Sequence, residues 1–218
     1  MGITESISTF FCGLFGTNSW LATFLIAIIP LIELKGAIPF GISAEFWGEN
    51  ALSPMMAMLF AFLGSSLVCP ILALIFKPIC NWLSKYKFFA SIINFFTGSA
   101  KEKSEEVNSK IQNESDKKKT IIKMLEVFLF VAFPVPLTGV WTGTCLSVLM
   151  GLKYWQTCLA VVLGNLLCGF VVALVCIAFP GSEMIIIYIF LGIVLLAVLA
   201  KIISHIIKKN KSKKEQAK

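Results

Sequence analysis

The chain contains no arginine; all 19 of its Lys-or-Arg positions are lysine. An AT-rich genome is the simplest source of that bias. The chemical consequence is that no planar guanidinium can grip a phosphate, so an anion site would need Lys, backbone N–H groups or hydroxyls. Charge of any sign is scarce, at 14% of residues against about 25% in a soluble domain. Leu52 to Phe76 and Tyr154 to Pro180 carry none. Lysine is missing before residue 35, so the N-terminus lacks the positive region of a usual signal peptide. The seven cysteines form no C-x-x-C pair. They read as small buried hydrophobes rather than disulfides or metal ligands. No H-E-x-x-H, P-loop or G-x-S-x-G occurs. No enzymatic constellation is visible, and neither a cofactor nor a metal site is expected.

What is present is apolar. Hydrophobic residues make up 57% of the 218 residues, and the mean hydropathy is +0.86. At 1.5 Å per residue, about 20 residues cross a hydrocarbon core of about 30 Å. The chain therefore reads as an all-α integral membrane protein with several passes. Its net charge of +7 is no nucleic-acid signal, because the lysines flank apolar segments as the positive-inside rule requires.

Five apolar segments can be marked, at roughly 19–44, 52–80, 121–150, 154–179 and 184–207. Phe88, Phe89, Ile92, Ile93 and Phe96 recur at helical spacing, as in an amphipathic helix on a membrane surface. Ser99 to Thr120 is polar. Glu106–Lys110 and Glu114–Lys118 offer i,i+4 pairs there if the stretch is helical; otherwise it is disordered.

Counting crossings constrains the third segment. Both the loop of 81–120 and the tail of 208–218 are Lys-rich and should be cytoplasmic. The fourth and fifth segments supply two crossings between them, so the third must return to the side it entered. Its arms, 121–133 and 138–150, are each about 20 Å long, too short to span. The run between them holds Pro134, Pro136, Gly139 and Gly143, assigned as hairpin-turn residues. The first segment reads likewise, with Trp20 to Ile32 as one arm and Gly36 and Pro39 at the turn. Whether it is re-entrant or a full span stays open. The expected fold is an inverted repeat of re-entrant hairpin plus transmembrane helix, 19–80 and 121–180, with an extra span at 184–207. The whole chain forms a single membrane domain in a bacterial cytoplasmic membrane.

Glu33 and Lys35 stand out, since near a bilayer centre each costs about 2.5–3.5 kcal/mol. Either they pair to fix the hairpin, or Glu33 carries a proton or cation while Lys35 meets an anionic substrate group. Glu126 is the second candidate coupling carboxylate, with an interfacial charge as the plainer alternative. Thr138 could cap the returning arm, whose free N–H groups would then form an anion site at the midplane. Thr138, Trp141, Thr142 and Thr144 are candidate substrate contacts, and Gly139-x-x-x-Gly143 permits close helix approach. Asn165, in the fourth segment, is a packing hydrogen bond or a further substrate contact.

Glu33-Leu34-Lys35-Gly36-Ala37-Ile38-Pro39-Phe40-Gly41, together with Pro134 to Thr144, resembles the family called small multidrug export proteins. The name implies efflux. The family is distantly similar to the DedA/VTT membrane proteins, whose first re-entrant hairpin carries an acidic residue and a proline, matched here by Glu33 and Pro39. That likeness implies proton-linked flipping of lipids, including undecaprenyl phosphate. Thr and Trp stand where the second DedA hairpin carries arginines. Three functions follow as expectations: proton-coupled export of a small or amphipathic substrate, a lipid-phosphate flippase or scramblase, and a non-transporting membrane assembly factor. The implied partners are membrane lipids, protons, a small-molecule or lipid substrate, and a second copy of the chain, but no nucleic acid.

Overall fold

The computed structural model describes residues 9, 13–83, 101–111, 114–135, 138–181, 183–189, 192–193, 195–196 and 199–200. The surface helix expected at Phe88–Phe96, Pro136, half of the final span and the basic tail lie outside the described residues. Among the described residues all regular structure is helical.

Helices α1 (Ser19–Ile26) and α2 (Glu33–Ile42) come first. Helix α3 (Pro54–Leu83) follows. Helix α4 covers 101–110. Then come α5 (Asp116–Ala132), α6 (Val140–Leu149) and α7 (Tyr154–Ala178). The polar stretch is thus helical on both sides of a break. Glu106–Lys110 and Glu114–Lys118 form ion pairs at 2.5 and 2.9 Å.

Among the described residues, two helices are long and apolar enough to cross a bilayer. Pro54–Phe76 of α3 has a mean hydropathy of 2.4 and α7 one of 2.7. Their starts are locally encoded. Pro54 occupies the first helical position, where its missing N–H goes unused, and Ser53 Oγ accepts the Met56 N–H at 3.4 Å. At α7, Gln156 Oε1 accepts the Lys153 N–H at 2.9 Å.

The radial order of residues is that of a membrane helix. The buried stripe of α7 is small or polar, with Thr157, Ala160, Gly164, Asn165, Cys168 and Gly169. Its outer face exposes Leu159, Leu163, Leu167 and Leu174. A water-soluble helix would have these faces reversed. The small stripe lets α3 and α7 approach closely. A Cβ on Gly169 would meet Leu34 and Met58, and one on Gly164 the Phe128 carbonyl. Asn165 Nδ2 donates to Ser65 Oγ at 2.7 Å and Ser66 Oγ at 3.0 Å, tying the two long helices together. The pairs Asn165–Ser65 and Gly169–Met58 show that α3 and α7 run antiparallel.

Two hairpins pack at opposite ends of this pair. The α1–α2 hairpin shares a core with Ala57, Met58 and Ala61 of α3 and Cys168, Val172 and Cys176 of α7. The α5–α6 hairpin shares another with Val68 and Cys69 of α3 and Ala160 and Val161 of α7. Val107 and Ile111 bring α4 into that second core. Each hairpin is closed at its base. Ser19 Oγ donates to the Asn50 carbonyl at 2.5 Å, and Lys123 Nζ donates to the Met150 carbonyl at 2.7 Å.

The turn of the first hairpin differs from the sequence expectation. It falls at 27–32, whereas Gly36 and Pro39 lie inside α2. The physical cause is Pro30, which lacks the N–H that would bond the Ile26 carbonyl four residues earlier and clashes with it. Ile29 N–H takes that carbonyl instead, at 3.0 Å. In the second hairpin Pro134 and Gly139 lie between α5 and α6. Gly143 instead belongs to α6, where a Cβ would strike Val131 of α5.

Candidate functional site

The tips of the two hairpins meet, and every charge at the meeting point comes from the first. The 27–32 turn and the residue that follows it hold two non-glycine residues in the left-handed region, Leu31 at φ 77° and Glu33 at φ 50°. Such backbone costs about 1–3 kcal/mol per residue and persists only where surroundings enforce it. It projects Glu33 and Lys35, at 6% and 5% exposure, against Val135, Thr138 and Trp141.

Lys35 Nζ donates to the Val135 carbonyl at 2.9 Å and the Thr138 carbonyl at 2.7 Å. Its third neighbour is Glu33 Oε2 at 3.7 Å. An ammonium has three donors and no acceptor, so this coordination nearly saturates it. Glu33 Oε1 accepts the backbone N–H of Trp141, in the first turn of α6, at 3.2 Å. A helix start carries partial positive charge and unbonded N–H groups, and a carboxylate satisfies both. Gly139 makes room for it, since a Cβ there would overlap the Glu33 carboxyl. A second bond in the same direction runs from Trp141 Nε1 to the Ile28 carbonyl at 3.0 Å.

The anion at the start of α6 is therefore the protein's own Glu33. Thr138 does not cap α6, contrary to the sequence expectation; Gly139 precedes the first helical residue. The Thr138 hydroxyl turns back instead, sharing its proton between the Val135 and Phe133 carbonyls at 2.8 and 3.0 Å. It thereby serves the end of α5, because the linker leaves those carbonyls nearer than any α6 N–H. Thr142 Oγ1 accepts the Gly139 N–H at 3.1 Å and steadies the helix start. Thr144 is fully buried, beside Cys69 of α3. Asn165 belongs to the α3–α7 seam.

Glu126 lies elsewhere on the second hairpin. It pairs with Lys103 of α4 at 3.4 Å. Both border an open groove of about 300 Å³ that follows one face of α5 through Leu129, Phe130 and Phe133 to Val135 and Thr138. The groove thus runs from a charged pair to the residues whose carbonyls hold Lys35.

The structure brings Glu33, Lys35, Thr138, Gly139 and Trp141 into one junction. Sequence reasoning missed Ile28 and Val135, which contribute only carbonyls, and Lys103. It also missed Ser65 and Ser66, although a serine pair inside an uncharged apolar run was a readable signal.

No curated protein and no solved structure matches the chain. The family described as "Putative small multi-drug export protein" matches over residues 33–171, from Glu33 through the junction and most of α7. With more than half its length matched, and that part containing Glu33, Lys35 and the whole second hairpin, the chain belongs to this small multi-drug export family.

Proposed function

We propose that the chain is a multi-pass exporter of the cell membrane whose two hairpins re-enter from opposite faces and are latched by Glu33 and Lys35. The single observation that carries the reading is the cross-hairpin contact, in which Lys35 reaches carbonyls 100 and 103 residues away. Closed hairpin bases, short arms and placement at opposite ends of an antiparallel helix pair support re-entry and the inverted repeat. The lysines of 101–123 support a cytoplasmic position for the base of the second hairpin.

Proton coupling follows from the latch. An ionised Glu33 neutralises Lys35 and caps α6; a protonated one does neither as well. Breaking a buried ion pair costs about 3–5 kcal/mol, enough to shift a two-state equilibrium by more than two decades. A proton on Glu33 would thus free the hairpin tips to separate and expose the junction to the groove. No chemical conversion of the substrate is involved.

The test is Glu33→Gln in proteoliposomes under an imposed pH gradient, with proton flux followed by an internal dye as candidate compounds are added. The variant should insert normally and show no compound-driven flux. Full flux in the variant would overturn the coupling role. Labelled lipid changing leaflet in the same vesicles would favour a lipid substrate, whereas a tolerated Glu33→Gln in a vesicle without any flux would favour an assembly factor.

A further inference from the structure

We propose that Cys69 of α3 and Cys158 of α7 form a redox-active thiol pair, which an organic hydroperoxide closes to a disulfide that fastens the two long helices together. The site goes beyond the export reading and does not rest on it. Both cysteines are free thiols. Cys69 is fully buried in the core shared with the second hairpin, and the partly buried Cys158 packs against that same core. The two thiols lie within hydrogen-bonding reach of each other. Thr144 of α6 flanks Cys69, and Tyr154, one turn earlier on α7, flanks Cys158.

The register of the seam accounts for this meeting. Ser65 and Asn165, which touch, stand 100 residues apart. Towards the start of α3, Gly169 of α7 faces Met58 so closely that a Cβ on the glycine would lie 3.3 Å from Met58 Cγ. Exchanging each partner for the residue 100 positions away gives Cys69 and Cys158, towards the other end of α3. Gly64 and Gly164 obey the same exchange, since a Cβ on each would strike a phenylalanine carbonyl, that of Phe24 and of Phe128. Small residues let the helices approach closely, and close approach is what a disulfide requires, with Cα atoms about 5.5–6 Å apart.

The surroundings select the oxidant. Trp155 and Leu159, beside Cys158 on the outer face of α7, are exposed. The thiol is therefore reached across apolar surface, where a neutral organic hydroperoxide partitions and a charged oxidant does not. Cys158, the more accessible partner, attacks the terminal peroxide oxygen. The O–O bond breaks, an alcohol leaves with the thiol proton, and Cys158 becomes a sulfenic acid. The Cys69 sulfur then attacks the Cys158 sulfur. The S–S bond forms, and water leaves with the sulfenic hydroxyl and the Cys69 proton. Two thiols lose two electrons, and the hydroperoxide is reduced to alcohol and water. A dithiol reductant reopens the bridge by exchange.

The test treats the full chain in phosphatidylcholine nanodiscs with cumene hydroperoxide, then unfolds it and counts thiols as N-ethylmaleimide adducts by mass. The count should fall by two from the full seven and recover with dithiothreitol. Peptide mapping should place the bridge between Cys69 and Cys158. The oxidised chain should melt about 5 °C or more higher, as a cross-link over a long loop predicts. Cys69→Ser should lose a single adduct and trap the sulfenic acid of Cys158 as a dimedone product. Cys158→Ala should keep all its remaining thiols. Melting of both variants without oxidant checks that they fold. An unchanged count in the parent would overturn the proposal. So would a loss of two that persists in either variant, or closure by charged glutathione disulfide but not by the hydroperoxide.

Discussion

The two hairpins meet as opposites. The first brings ions, Glu33 and Lys35, on a backbone twisted into the left-handed region at Leu31 and Glu33. The second brings mainly dipoles: two carbonyls, one backbone N–H and an indole. Each charge faces the matching end of a broken helix. The carbonyls after α5 receive the ammonium, and the N–H groups opening α6 receive the carboxylate. A chain without arginine thus builds a buried polar junction from one charge pair and backbone groups that any sequence has. Buried backbone groups freed where a helix breaks need partners, and here the satisfying groups come from the opposite hairpin.

That contrast can be broken at either side. The largest effect should come from Lys35→Met, which leaves Glu33 buried without its cation and the Val135 and Thr138 carbonyls without a donor. A loss of about 3–5 kcal/mol is expected, read as a lower melting temperature in detergent. Adding Glu33→Gln should restore part of it, and a strictly additive double variant would show the two residues uncoupled. Gly139→Ala attacks the same junction from the other hairpin. Its methyl group overlaps the Glu33 carboxyl, and such overpacking costs about 1–3 kcal/mol. A variant as stable as the parent would show that Glu33 does not sit on α6. Trp141→Phe keeps the ring but removes the indole donor from the Ile28 carbonyl, for a loss of about 1–3 kcal/mol.

Some of this was legible in the sequence. The two long helices were, because uncharged apolar runs of that length have few other solutions. So was a break in the third apolar segment, because Pro134 cannot continue a helix; α5 ends at Ala132 and α6 opens at Val140. The turn of the first hairpin was not. Pro30, Gly36 and Pro39 all break helices, and periodicity does not say which one wins. The structure decides for Pro30, and it keeps Pro39 buried within α2. The partners of Lys35 were illegible for a deeper reason. Backbone carbonyls are present at every residue, so nothing in the letters distinguishes Val135. Glu126 carried a readable charge, but its partner Lys103 lies on a separate helix across the break that precedes α5.

Smaller effects sharpen the contrast between the junction and the rest of the molecule. Asn165→Ala removes a side-chain link within the α3–α7 seam, where membrane hydrogen bonds average about 0.6 kcal/mol. A change as large as that of Lys35→Met would make the seam, not the junction, the centre of stability. Smallest of all should be Glu106→Gln on α4. The hydrogen bond from Lys110 and the charge of Lys103 hold the Glu106 carboxyl below its usual range. Whatever the pair contributes is present above the ordinary carboxylate range and is lost as the pH falls through the lowered value. Melting curves of parent and variant should therefore converge in acid and differ little near neutrality.

The span of 100 residues between Lys35 and Val135 sets a timetable for biosynthesis. At about 5–20 residues per second, the first hairpin leaves the ribosome several seconds before its receiving carbonyls exist. During that interval Glu33 and Lys35 have no second hairpin to dock on. The first hairpin must therefore wait, with Glu33 and Lys35 left to each other, and the completed junction is a late event in the making of the chain.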